Sequence, residues 1–431
     1  MMDKRPLNWC KCNLKEIFST ASGGTPSRKE ASYYNGQIPW LKSGELNDNI
    51  VKKAEEFITK EGLDNSSAKI FPKGSILLAL YGATVGKIGK LDFEAATNQA
   101  ICCIYPSKFF NMNLLFYYLL FQKKFLISQG KGGTQPNISQ DIVKNLELFL
   151  PPLEEQGRIV EKIEELFSDI DNGIKDLKTA QAQIKQYRQS VLKSAFDGKL
   201  YKTSEWKEVK LEDVCQINPK TEIKDMKDDD IVSFLPMTSV KAECNYYTEE
   251  NVLYSKVKKG YTKFKNGDVL FAKITPCMEN GKVCIVDNLI QDIGFGSTEF
   301  HILRCLNNII PKYVYYVVIQ QCFRKKAKKN MVGAVGQQRV PADFMKNFDI
   351  PLPSLPEQQQ IVAEIEKRFA VADEMEKAVN DSLLQAEKLK QSILKQAFAG
   401  KLVPQNPNDE PAAVLLERIK AAKENSTKGK K

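Results

Sequence analysis

The sequence LPPLEEQGRIVEKIEELFSDIDNGIKDLKTAQAQIKQYRQSVLKSAFDGKL at residues 150–200 recurs 202 positions later as LPSLPEQQQIVAEIEKRFAVADEMEKAVNDSLLQAEKLKQSILKQAFAGKL at residues 352–402. The two stretches align without a gap, and 22 of their 51 positions are identical. Each opens with proline followed by acidic residues and closes on a glycine, the residues that typically begin and end a helix. The chain therefore contains an internal duplication, and each copy predicts one long helix.

Both stretches carry apolar residues at intervals of three, four or seven, which is the spacing of a coiled-coil seam. Roughly 40 helical residues at about 1.5 Å each give rods of about 60 Å. Equal lengths and an ungapped register favour two rods packed on each other, antiparallel, over two unrelated core helices. The predicted seams are Ile159, Ile163, Leu166, Ile170, Leu177, Ile184, Tyr187, Val191 and Ala195, and Ile361, Ile365, Ala372, Met375, Val379, Ala386, Leu389, Ile393 and Ala397.

The segments that precede the two rods are also related, although with gaps. FPKGSILLA from Phe71 corresponds to FKNGDVLFA from Phe264, and GGTQPNISQDIVKNLELFLP from Gly132 corresponds to AVGQQRVPADFMKNFDIPLP from Ala334. An aromatic helical stretch stands between these motifs in both copies, NLLFYYLL from Asn113 and KYVYYVVI from Lys312. One module has therefore been duplicated, and its scaffold is kept while its polar loops differ.

Length and composition predict a globular protein of two or three domains, since the chain has 431 residues, 42% hydrophobic and 27% charged. The longest apolar runs are under half a membrane span, so no anchor or export signal is expected. Ten cysteines without a CxxC pair and a single histidine argue against a zinc site or a disulfide framework. A reducing cytoplasm fits this composition best.

The formal net charge of +10 is unevenly placed, because each rod is close to −1 and the modules hold the excess. Phosphate neutralisation is one use of such a field, and a lysine-rich solvated surface is the other. The densest basic groups are Arg324, Lys325, Lys326, Lys328 and Lys329, the run Lys256, Lys258, Lys259, Lys263 and Lys265, and Lys123, Lys124 and Lys131.

Together these motifs resemble the specificity (S) subunit of Type I restriction-modification systems. The resemblance covers nearly the whole chain and is carried by the ordered motifs themselves. They are IPWLKSGEL from Ile38, KGSILLALYGATVGKIGKL from Lys73, ATNQAI from Ala96, GGTQPNIS from Gly132, GDVLFAKITPCMENGK from Gly267, GFGSTEFHILR from Gly294 and GQQRVPADF from Gly336.

The resemblance implies an α+β fold in which two mixed α/β target-recognition domains are separated by two long helices, packed as an antiparallel coiled coil with internal pseudo-twofold symmetry. It implies binding to double-stranded DNA with a split target, docking of two methyltransferase subunits, and motor-endonuclease subunits bound through them. The expected divisions are recognition domains at 1–150 and 201–352, helical spacers at 151–200 and 353–402, and a tail with a short helix at 403–431.

No catalytic centre is expected in this chain. GATVGKIGK at Gly82 lacks the spacing and the following Ser/Thr of a phosphate loop, and no glycine-rich cofactor loop with a methyltransferase motif follows. His301 is predicted to be a strand residue rather than a catalyst. We therefore expect no catalytic residue, cofactor or metal. Two alternatives remain: a protein-binding scaffold, and an enzyme fused to a recognition domain. A specificity subunit of a related restriction-methylation system also stays open.

Direct readout of DNA requires donors and acceptors that meet base edges, with basic groups on the phosphates. In the first module the candidates are Lys42, Ser43, Tyr81, Thr84, Lys87, Asn98, Gln99, Gly132, Gly133, Thr134, Gln135 and Asn137. In the second module they are Lys273, Thr275, Met278, Glu279, Asn280, Lys282, Ser297, Thr298, Gln337, Gln338 and Arg339, with Arg324, Lys325 and Lys326 as phosphate contacts.

Overall fold

A computed structural model describes residues 6–130, 137–223, 225–245, 247–334 and 336–428. The chain divides into two compact units, the first formed by Met1–Asp176 with Ser382–Lys431 and the second by Leu177–Asp381. Each unit therefore contains one duplicated module and a part of each long helix. No helix in the described residues is long and apolar enough to cross a membrane.

The first module contains eleven strands and four short or medium helices in its described part, and it leads into the first long helix. The strands are β1 (Cys10–Asn13), β2 (Thr20–Ser22), β3 (Tyr34–Leu41), β4 (Asn49–Val51), β5 (Glu56–Ile58), β6 (Ile70–Phe71), β7 (Ile76–Ala79), β8 (Ile88–Leu91), β9 (Ala95–Thr97), β10 (Ile101–Ile104) and β11 (Glu147–Leu150). The helices are α1 (Leu14–Ile17), α2 (Lys60–Asp64), α3 (Met112–Ser128), α4 (Gln140–Lys144) and α5 (Leu153–Phe196).

Two sheets form the body of the first module, a five-stranded one in the order β2-β10-β7-β8-β4 and a four-stranded one in the order β5-β3-β9-β6. Strands β7 and β10 are short apolar runs in which every residue is buried, so they occupy the interior of the larger sheet. Alternate residues face opposite sides. Ile76 and Leu78 pack toward α3, and Leu77 and Ala79 join a separate core with Leu41 and other residues.

The second module repeats this plan. Its strands are β12 (Lys207–Lys210), β13 (Cys215–Ile217), β14 (Ile231–Leu235), β15 (Glu250–Leu253), β16 (Thr262–Lys265), β17 (Val269–Ala272), β18 (Val283–Ile285), β19 (Ile293–Gly296), β20 (Phe300–Cys305) and β21 (Asp349–Leu352). Its helices are α6 (Leu211–Val214), α7 (Tyr254–Val257), α8 (Pro311–Ile319), α9 (Gln321–Lys329) and α10 (Ala342–Lys346), followed by α11 (Leu355–Phe398) and, in the first unit, α12 (Ala412–Lys428).

The sheet orders of the second module are β13-β20-β17-β18 and β15-β14-β19-β16, which match those of the first module strand for strand except for β4. One parallel pair is common to both modules, β3 with β9 and β14 with β19, and the first module has a second parallel pair, β4 with β8. A two-stranded pair, β1-β11 or β12-β21, joins the start of each module to its end. The predicted pair of mixed α/β modules of one kind is confirmed.

The helices α5 and α11 are each 44 residues long and begin 202 positions apart. Within the second unit, Gln181 donates a hydrogen bond to Asn380 (3.1 Å) and Arg188 forms an ion pair with Asp373 (2.6 Å). Residue numbers rise along α5 as they fall along α11. The prediction of antiparallel packing is therefore confirmed in this unit.

The same helix contact occurs once in each unit. In the first unit Lys390 forms an ion pair with Asp171 (2.5 Å), and its amino group lies 5.1 Å from the ring centroid of Phe167. In the second unit Arg188, which precedes Lys390 by 202 positions, pairs with Asp373 and lies 5.3 Å from the ring centroid of Phe369. Asp373 and Phe369 likewise follow Asp171 and Phe167 by 202 positions. The duplication is thus preserved in contacts as well as in sequence.

The apolar seam is buried at some of its predicted positions and exposed at others. Ile163 and Ile365 are fully buried, as predicted. Tyr187, Met375 and Leu389 are exposed by 40%, 53% and 51%, so their assignment to a buried seam was wrong. Periodicity identifies which side of a helix is apolar, but it does not say how far the partner helix covers that side.

One tryptophan–glutamate pair connects each module to its long helix. The indole N–H of Trp9 donates to Glu155 (3.0 Å), and that of Trp206 donates to Glu357 (3.4 Å). Burial raises the pKa of Glu155. Glu357 also accepts hydrogen bonds from Ser204 and Thr203, which hold its pKa well below the usual range. Equivalent carboxylates therefore have opposite pKa shifts.

Candidate nucleic-acid interface

In the first module the polar loops meet where the parallel strands β3 and β9 end. The backbone N–H of Asn98 donates to the carbonyl of Leu41 (2.9 Å), and that of Gly24 donates to the carbonyl of Thr97 (2.9 Å). Gly23 is needed here, because a Cβ atom would lie 2.0 Å from the carbonyl oxygen of Thr97. These contacts bring Lys42, which follows β3, to the same sheet edge as the predicted pair Asn98 and Gln99.

A cation that was not predicted lies at this edge. Arg28 stacks over Tyr34, 4.4 Å from its ring centroid, and donates to Glu56 (2.8 Å). Lys42 donates to the same carboxylate (2.7 Å), and this hydrogen bond raises the pKa of Lys42 and lowers that of Glu56. Two cations share this carboxylate, and the backbone N–H of Lys42 also donates to the carboxylate of Glu45 (2.8 Å). Arg28 stands in the short charged segment Arg28–Lys29–Glu30, which carries no motif that distinguishes it from a solvated loop.

The turn between β7 and β8 carries a second group of predicted residues. Tyr81, Thr84 and Lys87 are half-buried there, and the amino group of Lys87 donates to the side chain of Asn47 (2.9 Å). Ser43 lies in the one-turn helix Ser43–Glu45, and Asn137 is exposed. The predicted residues Gly132, Gly133, Thr134 and Gln135 lie outside the described residues.

In the second module three loops meet beyond the end of β17. Three backbone hydrogen bonds join them: the N–H of Lys273 donates to the carbonyl of Glu299 (2.9 Å), and the N–H of Val340 donates to the carbonyl of Lys273 (2.9 Å). The N–H of Thr275 donates to the carbonyl of Gln338 (3.0 Å). This brings Lys273, Thr275, Ser297, Thr298, Gln337, Gln338 and Arg339 to one end of the module. The backbone N–H of Ser297 donates to Leu235 (3.3 Å), so the corresponding strand ends, β14 and β19, are joined as in the first module.

Arg339 is oriented by an ion pair. Its guanidinium group donates to both carboxylate oxygens of Glu299, with a shortest distance of 2.7 Å, and this pairing lowers the pKa of Glu299. His301 lies in β20, as predicted. Its Nε2 atom is 2.8 Å from the carbonyl oxygen of Val340, and burial lowers its pKa. The neutral imidazole therefore holds the loop that carries Arg339.

Two predicted contact residues have internal positions. Met278 is fully buried in the core of the second module and has no surface to offer a base. Arg324 is only 7% exposed, since its guanidinium group donates to the carbonyl of Glu279 (2.5 Å) and pairs with Glu243. A guanidinium group enclosed in this way supports a loop. We therefore do not retain Met278 or Arg324 as DNA contacts.

The remaining predicted residues of the second module lie on α9 and in the turn after β17. Lys325 and Lys326 are exposed on α9, and the amino group of Lys326 lies 5.3 Å from the ring centroid of Phe348. Asn280 is exposed, whereas the amino group of Lys282 donates to the carbonyl of Met237 (2.8 Å). One carboxylate oxygen of Glu279 is buried without a hydrogen-bond partner among the described residues.

The sequence profile described as "Type I restriction modification DNA specificity domain" matches this chain twice, over residues 6–179 and 203–385. The Escherichia coli EcoAI and EcoEI specificity subunits are 35% and 31% identical to it over 50% and 69% of the chain. These matches span 43% and 58% of the two relatives, about half of their length. The EcoKI specificity subunit of Escherichia coli strain K12 is 25% identical, over 97% of this chain and 96% of its own.

Two solved structures share the fold. One, reported on complex assembly and conformational transition of the type I R-M system, has a TM-score of 0.70 at 19% identity and covers 92% of this chain and 99% of its own. The other is the HsdS subunit from Thermoanaerobacter tengcongensis, with a TM-score of 0.51 at 20% identity, over 92% and 98% of the two chains. From the two profile matches, one in each duplicated module, we conclude that the chain belongs to the Type I restriction-modification DNA specificity family.

Proposed function

We propose that this chain is the non-catalytic subunit that selects the DNA sequence for a Type I restriction-modification complex, and that each module reads one half of a split target. The recurrence of one polar edge carries this proposal. Asn98 is hydrogen-bonded to the end of β3, and Ser297 is hydrogen-bonded in the same way to the end of β14. Two similar edges on one chain suit a target with two half-sites.

The two half-sites should differ in sequence, because the two edges present different donors and acceptors. The first edge carries the amides of Asn98 and Gln99, and an Asn or Gln amide pairs well with adenine. Such pairing would require both side chains to rearrange, since Asn98 Oδ1 is buried and Gln99 Oε1 accepts a hydrogen bond from the Thr25 hydroxyl. The second edge offers Arg339 and the hydroxyl groups of Ser297 and Thr298, and arginine pairs well with guanine. Rearrangement of the Arg339–Glu299 pair would be required for such a contact.

Methyltransferase subunits would dock on the helices α5 and α11. Tyr187 and Leu389 stand at equivalent positions, 202 residues apart, and both are large apolar side chains left exposed. An exposed apolar surface on a helix is typical of a contact with another protein. Two equivalent surfaces suit two methyltransferase subunits, and motor-endonuclease subunits would join through these. In this assignment the recognition domains are residues 1–150 and 201–352, the spacers are residues 151–200 and 353–402, and the tail is residues 403–431. The assignment also places the chain in the cytoplasm.

Mapping methylated bases across the host genome tests this function. We expect one split motif that disappears when this chain is deleted and returns when it is supplied from a plasmid. If deletion leaves every methylated motif in place, the proposal is wrong. Binding that follows salt but ignores DNA sequence would instead support the protein-binding scaffold.

A further inference from the structure

A groove of about 530 Å³ lies in the second module between residues 218–222 and strand β16. Lys220, Lys263 and Lys273 line it together with Tyr261, Thr298 and Glu222. Lys273 and Thr298 also belong to the polar edge described above. The groove is therefore continuous with the surface assigned to base readout.

The three lysines are the unneutralised cations of this region. None of their amino groups has a hydrogen bond or an ion pair with any residue in the described part of the chain. Nearby arginines differ, since Arg304 pairs with Asp268 (2.7 Å) and Arg339 pairs with Glu299 (2.7 Å). Glu222 is the only carboxylate among the groove-lining residues that the structure describes, so three positive charges face one negative charge.

Lys273 gives the groove its chemical preference. Its side chain lines the groove and is half-buried, and burial lowers its pKa although Glu299 acts in the opposite direction. Glu299 is already paired with Arg339, so Lys273 has no ion pair of its own. A partly desolvated ammonium group in that position is unfavourable, and an anionic ligand would offset the cost. The hydroxyl of Thr298, at the same site, is a donor of the kind that contacts phosphate oxygens.

We propose that this groove binds the sugar-phosphate backbone of double-stranded DNA beside the half-site read by the second module, with Lys220, Lys263 and Lys273 on the phosphates. The assignment rests on the DNA-reading function proposed above. Its continuity with the readout edge through Lys273 and Thr298 favours a DNA backbone over a free anion.

Salt-dependent DNA binding by the full-length chain, co-expressed with its methyltransferase subunit, tests the groove. The variants are Lys220→Gln, Lys263→Gln and Lys273→Gln, singly and combined. Each single change should lower the slope of log Kobs against log salt by about 0.9, and the triple change by about 2.7. At 0.1 M salt one lost contact weakens binding about eight-fold. The methylated motif should stay the same, because phosphate contacts carry no direct sequence information.

Lys312→Gln is the matched control, because Lys312 lies in the same module but is paired with Glu366 (2.6 Å) and should leave the slope unchanged. Lys273→Arg should retain the wild-type slope, which separates loss of charge from loss of folding. A triple variant with the wild-type slope would overturn the proposal. So would a triple variant that loses affinity for inorganic pyrophosphate but keeps its slope with DNA. Failure of the wild-type assembly to prefer any DNA sequence would instead refute the function itself.

Discussion

Lengthening the paired helices tests whether they set the distance between the two half-sites. The hydrogen bond between Gln181 and Asn380 marks facing positions on α5 and α11. Four residues inserted after Gln181, together with four inserted before Asn380, would extend both helices at the same level. The ion pairs of Asp171 with Lys390 and of Arg188 with Asp373 lie on opposite sides of the insertion, so each can be kept.

The size of the effect follows from helix geometry. Four residues add about 6 Å of rise and about 400° of rotation, which leaves the apolar side of each helix only about 40° from its original direction. At about 3.4 Å per base pair, the half-sites should move apart by one or two base pairs. A two-residue insertion in both helices is the control, since it turns each apolar side by about 200° and should prevent assembly.

Methylation mapping in a host that lacks other methyltransferases provides the measurement. The four-residue variant should methylate both original half-sites with a longer spacer, and the two-residue variant should yield little soluble complex. Methylation at the original spacing by the four-residue variant would refute the view that the helices set the spacing. Equal tolerance of both insertions would refute it as well.

Three further predictions concern the modules. Exchanging residues 206–350 for another module of this family should change one half of the methylated motif, and altered methylation of both halves would contradict modular reading. Phe323→Ala should reduce the free energy of unfolding by about 3–5 kcal/mol, because Phe323 is fully buried against three other rings; a loss below about 1 kcal/mol in denaturant titration would contradict this. Glu357→Gln should lower Tm at pH 7 and lower it by a smaller amount at pH 3, since a lowered carboxyl pKa stabilises the fold fully above the unfolded pKa of about 4.3. This stabilisation shrinks as pH falls below that value and is lost only as pH passes through the folded pKa, which lies well below the usual range. Glu155→Gln, where burial raises the pKa, should leave Tm at pH 7 unchanged or higher, and equal losses in both variants would count against this interpretation.

The architecture could be predicted because the same helix pattern occurs twice in the sequence. Two alignable stretches of 51 residues require two equivalent helices, and the glycines and prolines at their ends locate them closely. The coverage of those helices could not be predicted, because Tyr187 and Leu389 match the apolar period but lie where the partner helix leaves them exposed. Side chains of one chemical type can be buried or exposed, and only packing distinguishes them.

The polar edges were predictable as loops but not as contact sets. Residue type places Arg339 and Arg324 in the same class, yet the structure leaves Arg339 at the edge and encloses Arg324 within the module. Arg28 and Lys220 were missed for the converse reason, since one or two cations in a polar loop carry no periodic or motif signal. Whether such a cation lies at the edge or is enclosed depends on carboxylates distant in sequence, such as Glu56 for Arg28 and Glu243 for Arg324.

The helix contact described above also bears on how such a chain arose. Asp171, Phe167 and Arg188 all lie on α5, so one helix carries both sides of a contact that α5 and α11 now share. Two copies of a single ancestral module with its helix could pair antiparallel as a homodimer, with Arg188 of each copy on Asp171 and Phe167 of the other. Such a dimer would recognise a palindrome. Fusion of two gene copies would then free each half to diverge, and the palindrome would become two unrelated half-sites.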